Sequence, residues 1–253
     1  MLIVADGEGI LIDAGISSRR LMSALKAKRL FPCSIKGVLL THEHDDHIKG
    51  IQRICSGLGA PLVANRATLD ACAQRMELPG TQELATGAET RIGSFLVRSF
   101  TVSHDAAEPV GYVIEHGGAR IFYATDCGCP MPMVRESMRG ANLCILESNH
   151  DLEWLWRGPY LPHMKARVAS DTGHLSNHDA GVMLAERLDQ DGPAVIWLAH
   201  LSAVNNSPSL ARKSVTAFLK QSTSTLFTLD IALRDQPSAE WKSGQTAIQQ
   251  SLF

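Results

Sequence analysis

The sequence predicts a layered α/β protein, and three observations carry that prediction. Glycine and proline recur at short intervals, separating short apolar, β-rich runs from stretches with helical periodicity in steady alternation, the pattern that lays helices on sheets. The chain has 253 residues, 45% of them hydrophobic, enough to bury a sizeable core in one large domain or two small ones. No internal repeat or low-complexity block interrupts the alternation.

Taken in order, Gly9-Ile10-Leu11-Ile12-Asp13 reads as a strand, and Ser17 or Ser18 can cap an amphipathic helix running through Leu21, Met22 and Leu25. Ile35 to Leu40 is a second strand, which ends in a histidine-rich loop leading into a helix from Ile48 to Leu58. Pro61 to Ala64 is a short strand, and Arg66 to Met76 is helical. Arg91 to Val102 is β-rich; Gly111 to Glu115 and Arg120 to Ala124 then form a hairpin around His116-Gly117-Gly118. Helix then strand recurs at Met133 to Arg139 and Leu143 to Leu146, and again at Asn177 to Leu188 and Ala194 to Ala199. A last helix covers Ser209 to Lys220, and Thr225 to Ala232 is an edge strand. Residues 1–240 are therefore expected to fold as one domain and 241–253, where the chain turns polar, to form a flexible tail.

Charge and cysteine usage exclude several classes. With 24 Lys+Arg against 26 Asp+Glu, the formal charge is −2. No polycationic coat can draw phosphate from a distance, although a local basic groove is not excluded. No run of ~20 apolar residues occurs, and the start reaches a charge at Asp6, so a cytoplasmic protein without membrane association is expected. The six cysteines lie in apolar contexts without C-x-x-C pairs. They read as buried thiols rather than a disulfide framework or a thiolate zinc site.

The most informative stretch is Leu39-Leu40-Thr41-His42-Glu43-His44-Asp45-Asp46-His47. Its H-x-H-x-D-H spacing, at a strand end entering a helix, crowds His42, His44, Asp46 and His47 into one tight turn. Such crowding is unfavourable unless cations compensate it, and divalent metals take this mixture of nitrogen and oxygen ligands. His104, Asp126 and His200 stand at the ends of later apolar runs, where strands give way to loops. Each is weak alone; with the first motif they complete a set of five histidines and two aspartates.

That set resembles the metallo-β-lactamase superfamily, with the ligand pattern of its glyoxalase II and RNase Z-like branches. The resemblance implies a four-layered αββα sandwich with two divalent ions, zinc or manganese, at one edge. It implies that His42, His44 and His104 hold one ion, that Asp46, His47 and His200 hold the other, and that Asp126 bridges both. Asp46 is also placed as a catalytic carboxylate, and Asp13, in Leu11-Ile12-Asp13-Ala14-Gly15, as the residue that orients the metal loop. Thr41-His42-Glu43-His44, Ser103-His104-Asp105-Ala106 with Glu108 to Tyr112, Glu147-Ser148-Asn149-His150-Asp151, Gly173-His174-Leu175-Ser176-Asn177, and Ala199-His200-Leu201-Ser202 with Asn205-Asn206 resemble the YycJ/WalJ family more closely. The implied activity is 5′-to-3′ DNA exonucleolysis. Members of that family usually carry a short strand and an S-G-S-S-G-N-type loop before the strand matched here by Met1 to Val4. Neither is present in this sequence, which is expected to leave a sheet edge open and to remove N–H groups able to hold a terminal phosphate.

Two cations ~3.5–4 Å apart can lower the pKa of a bridging water toward 7, polarise the scissile group and neutralise a leaving oxygen. His174 precedes a helix N-terminus at Ser176 or Asn177, where N–H groups favour anions, and the resemblance makes it a phosphate ligand or the general acid for the leaving alcohol. Trp154, Trp156, Arg157, Tyr160, His163, Lys165 and Arg167 mix aromatic and basic side chains in a way that suits single-stranded nucleic acid. The reading is a phosphodiesterase acting on single-stranded DNA ends, with Arg157, Tyr160, Lys165, Arg167, Ser176 and Asn177 on the substrate. A small-molecule phosphodiesterase or a glyoxalase II-like thioesterase is the alternative enzyme; a non-catalytic metal-binding module fits a seven-ligand set less well.

Overall fold

The computed structural model describes residues 1–30, 33–234 and 236–244. They form two compact units, one of residues 1–101 with 106–116, the other of 102–105 with the chain from 117 onward.

The first unit opens with an antiparallel pair, β1 (Leu2–Ala5) and β2 (Glu8–Ile12), joined through Asp6 and Gly7, both at positive φ. Next come α1 (Ser18–Ala27), β3 (Ser34–Leu39), α2 (Asp45–Ile48), α3 (Ile51–Leu58), β4 (Leu62–Ala64), α4 (Arg66–Ala73) and β5 (Thr81–Glu83). The sheet order is β1-β2-β3-β4-β5, parallel from β2 onward, and each parallel step requires a crossover, here a helix. One face of this sheet packs Leu11, Val38, Leu40 and Leu62 against Leu21 and Leu25 of α1, Ile51 and Ile54 of α3, and Leu69 of α4. Ser17 is the α1 cap, accepting the Arg20 N–H. The single helix expected over 48–58 is instead two, α2 and α3. The break falls at Gly50, where an added Cβ would stand 1.9 Å from the Ile16 carbonyl oxygen, so the chain must bend around that contact. β6 (Glu89–Ile92), β7 (Phe95–Thr101) and β8 (Val110–His116) form an antiparallel ribbon. The run expected over 91–102 is thus a hairpin, turned at Gly93 with φ +59°.

The second unit contains β9 (Ala119–Ala124), α5 (Pro132–Met138), β10 (Leu143–Glu147), α6 (Leu152–Arg157), α7 (Pro162–Val168), α8 (Asn177–Asp191), β11 (Ala194–Ala199), α9 (Pro208–Ser222) and β12 (Phe227–Ile231). Its strands are parallel in the order β9-β10-β11-β12, with β12 at the edge, as expected. β10 and β11 are buried along their whole length, which is why they read as unbroken apolar runs. Parallel strands place their carboxyl ends together. Asp126, Glu147 and His200 therefore come off the same edge of β9, β10 and β11. α6 and α7 were not anticipated from periodicity: they are short, started by the Asp151 cap and by Pro162 at the first helical turn.

Among the described residues no helix is long and apolar enough to cross a membrane. All six cysteines are free, four of them buried and Cys33 and Cys129 half-buried. The expected tail lies outside the described residues from 245 on.

Candidate metal centre

The predicted ligands fall into two groups, one in each unit. In the first, the strand end of β3 delivers Thr41 and His42, and α2 carries Asp46 and His47. Asp13, at the end of β2, holds them together. Its Oδ1 accepts the Thr41 N–H at 2.9 Å, and its Oδ2 accepts the Thr41 hydroxyl at 2.9 Å and lies 3.1 Å from His47 Nδ1. Because that hydroxyl donates to Asp13, it accepts from His42 Nδ1, 2.9 Å away. His42 and His47 are thereby both set with Nδ1 protonated and Nε2 available as a ligand atom. Burial pushes the Asp13 carboxyl up, but His47 and the Thr41 N–H outweigh it and hold it below the ordinary value. The His42 ring lies 4.5 Å from that of His44 and 4.2 Å from that of His47, centre to centre. Asp46 is the exposed member, its Oδ2 3.9 Å from His47 Nε2. The loop is seated on its neighbours: a Cβ at Gly15 would lie 1.6 Å from the Asp46 carbonyl oxygen. Arg75 reaches back from beyond α4 to the Glu43 carbonyl at 2.6 Å and to the Asp45 carboxylate.

In the second unit, Asp126, Glu147, His174 and His200 each bring a potential ligand atom within 4.8 Å of the others. His104 joins Asp126, its Nε2 3.6 Å from Asp126 Oδ1, while its Nδ1 donates to the Gly173 carbonyl at 2.9 Å. Nitrogen and oxygen donors of this kind, on two carboxylates and three imidazoles, fit a divalent cation. The nearby Cys127 thiol does not join them: burial first, then Glu147 and Asp126, push it well above its ordinary range, which keeps it protonated.

Glu147 is the residue that the ligand search in the sequence missed. It is fully buried, and its Oε1 takes His174 Nδ1 at 2.8 Å and His200 Nδ1 at 3.0 Å, while Oε2 accepts the Cys127 N–H at 2.7 Å. Burial raises its pKa, but His174 and the hydrogen bonds from both rings outweigh that and hold it at about 2. An ionised Glu147 thus engages both imidazoles through Nδ1 and fixes the orientation of their rings. His174 is lowered by burial and raised by Glu147, and the second effect prevails, so it stays protonated to higher pH than an ordinary histidine. Its signals in the sequence were a carboxylate closing an apolar strand and its place at the head of the Glu147-Ser148-Asn149-His150-Asp151 string. Glu147→Gln should lower metal affinity or turnover by about 10–100-fold, the range for a partner that orients ligands; metal content after dialysis and hydrolysis of a phosphodiester read the two separately.

Three predicted residues, Asp13, Asp126 and His200, have left-handed backbones with φ of +49°, +57° and +55°. Non-glycine residues are held there only when their surroundings demand it, and such residues cluster at working sites. Asn149 anchors one of them, donating its amide to the His200 carbonyl at 2.9 Å. Ser176 and Asn177, expected on the substrate, are buried and engaged elsewhere: Ser176 caps α8 through the Asp179 N–H, and Asn177 Oδ1 accepts from Ser148 at 2.5 Å and from Asn206 at 2.9 Å. Asn206 also donates to the Ser148 and Asn149 carbonyls, tying the loops after β10 and β11 to the start of α8. In α6 and α7, Trp154 and Trp156 are about half exposed (46% and 55%). Arg157 pairs with Glu153, Lys165 donates to the Trp156 carbonyl, and Arg167 holds Asp105, the neighbour of His104, at 2.7 Å.

A family model described as a β-lactamase superfamily domain matches residues 9–201. The chain belongs to that superfamily. Within it, the chain is 36% identical over 224 residues to exodeoxyribonuclease YycJ of Bacillus anthracis, covering 87% of this chain and 84% of that one. It is 32% identical over 217 residues to exodeoxyribonuclease WalJ of Streptococcus pneumoniae, covering 84% and 80%. Among solved structures, the metallo-β-lactamase fold protein YhfI from Bacillus subtilis matches with a TM-score of 0.68 at 18% identity, over 95% of this chain and 90% of that one. The family and fold class expected from the histidine loop and the strand-end ligands are borne out: this is a mixed α/β superfamily member with two sheets and flanking helices.

Proposed function

We propose that the chain is a metal-dependent 5′-to-3′ exonuclease acting on single-stranded DNA ends, in the cytoplasm. The observation that carries it is the Glu147–His174 pair beside Asp126. A phosphodiester expels an alkoxide, a poor leaving group that gains from a proton delivered in the transition state, and a histidine kept protonated by a buried carboxylate is such a donor. A thioester expels a thiolate, which leaves without that help. Nucleic acid as the substrate class is supported by the names of the two exodeoxyribonucleases.

The ligands we assign are His42, His44 and His104 to one divalent ion, Asp46, His47 and His200 to a second, and Asp126 to both, with zinc or manganese suiting the donors. Bound there, such ions supply Lewis acidity toward the phosphoryl group and acidify an attacking water. Asp13 and Glu147 orient the rings, and His174 Nε2 delivers its proton to the departing sugar oxygen. Arg157, Tyr160, Lys165 and Arg167 line the strand's path, with the half-exposed Trp154 and Trp156 as faces on which bases stack.

Metal-loaded protein incubated with 5′-labelled single-stranded DNA, duplex DNA, RNA and a glutathione thioester tests the reading. Release of mononucleotides from single-stranded DNA is expected; turnover of the thioester alone would overturn it. Arg157→Gln with Lys165→Gln, leaving the Arg167–Asp105 pair intact, should raise KM for single-stranded DNA and flatten the plot of log affinity against log salt by about 1.4, at about 0.7 per phosphate contact. Equal losses on DNA and on bis(p-nitrophenyl) phosphate would mean that the segment shapes the reaction centre instead.

A further inference from the structure

Between Asp13 and Glu43 the chain contains no carboxylate. It contains six cations, Arg19, Arg20, Lys26, Lys28, Arg29 and Lys36, so the rest of a chain of charge −2 carries −8. Five of the six are exposed on α1 and its C-terminal turn. The inner side of the helix is used in the core, with Leu21 and Leu25 buried, which leaves no apolar stripe to enter a lipid surface.

Local rules are broken here in one direction. Arg19 and Arg20 occupy the first turn of α1, at the positive end of the helix dipole, where carboxylates are favoured. Arg20 stands at the position after the Ser17 cap where a reciprocal Glu or Gln would complete a capping box. Arg29 adopts φ +55°, a conformation that favours glycine after a helix end. Each departure costs stability, and each places another exposed positive charge on α1 or the turn that ends it. Departures of that kind mark function more often than accident.

The helix is also fixed to the histidine loop of its own unit. It begins five residues after Asp13, and the connecting loop packs on that loop so closely that added Cβ atoms at Gly15 and Gly50 would strike the carbonyls of Asp46 and Ile16. Ten residues extend about 15 Å, and the turn carrying Lys28 and Arg29 continues beyond them.

We propose that the outer face of α1 is a rail for the phosphate backbone, holding single-stranded nucleic acid several nucleotides beyond the end being hydrolysed. This rests on the nuclease reading above. The probe is fluorescein-labelled phosphorothioate dT30, which resists cleavage, titrated with metal-loaded protein from 50 to 200 mM salt. Replacing Arg19, Arg20, Lys26, Lys28 and Arg29 with Gln should flatten the salt plot by about 3.5. The wild type should then lose about 100-fold more affinity than the variant across that range. The ratio of affinities for dT30 and dT5 should fall as well. Arg19→Gln with Arg20→Gln alone should flatten the plot by about 1.4 and leave Tm equal or higher, and this pair decides the matter if the fivefold variant fails to fold. Unchanged salt plots in the folded variants would overturn the rail. So would loss of binding to phosphatidylserine vesicles with dT30 binding unchanged, which would assign the face to a membrane. Failure of the wild type to digest 5′-labelled single-stranded DNA would refute the nuclease reading instead, whatever the salt plots show.

Discussion

Asp126→Ala is expected to cost the protein both its metal and its hydrolytic activity. Asp126 is 2% exposed and lies 3.5–3.6 Å from one nitrogen each of His104, His174 and His200. Removing its charge withdraws the carboxylate that we assign to both cations. At an effective dielectric constant of about 20, one unit charge about 4 Å from another is worth about 4 kcal/mol, or about 10³-fold in affinity. Metal content measured after dialysis at micromolar metal should fall accordingly, and Asp126→Asn, which keeps the shape without the charge, should resemble Ala rather than the wild type. Full metal occupancy with full turnover in either variant would remove Asp126 from the centre.

His174→Ala should behave differently. If His174 delivers the proton to the leaving oxygen, kcat on DNA should fall by about 10²–10⁴ while metal content holds. The nature of the leaving group gives the sharper readout. A p-nitrophenyl phosphodiester releases a stable phenolate, so its hydrolysis should suffer far less than that of DNA. The pH profile supplies a sign: the acid must be protonated, so wild-type kcat on DNA should decline as pH rises through the elevated pKa of His174, and the variant should lack that limb. Loss of metal would make His174 a ligand; an undiminished kcat would leave it a packing residue.

These two variants also separate what the sequence could reveal from what it could not. The loop from His42 to His47 was legible because its candidate ligands are contiguous, and contiguity survives any folding. His104, Asp126 and His200 were legible more weakly, as polar residues ending apolar runs, since a parallel strand brings its carboxyl end to a common edge. Asp13 was readable as well, as an aspartate closing an apolar strand, and it meets Thr41 and His47 of that loop. Glu147 escaped because its meaning lies in partners 27 and 53 residues away. For Ser176 and Asn177 the sequence showed the helix start but not its surroundings: both are buried, Ser176 caps α8 and Asn177 accepts from Ser148. α6 and α7 have too few turns to show a period, and the break at Gly50 depends on a contact with Ile16 that no local pattern encodes.

The amide and hydroxyl network of Ser148, Asn177 and Asn206 bears on how this protein can change. It joins the loop that follows Glu147, the helix start three residues after His174, and the loop beyond His200 through short buried bonds. None of these segments can open alone without leaving a buried donor or acceptor unmet, so their amides should exchange with solvent as a single cooperative block. The same linkage constrains redesign. A replacement at Ser148, Asn177 or Asn206 should disturb all three segments at once, whereas replacements on the exposed surface of α6 and α7 should leave them in place.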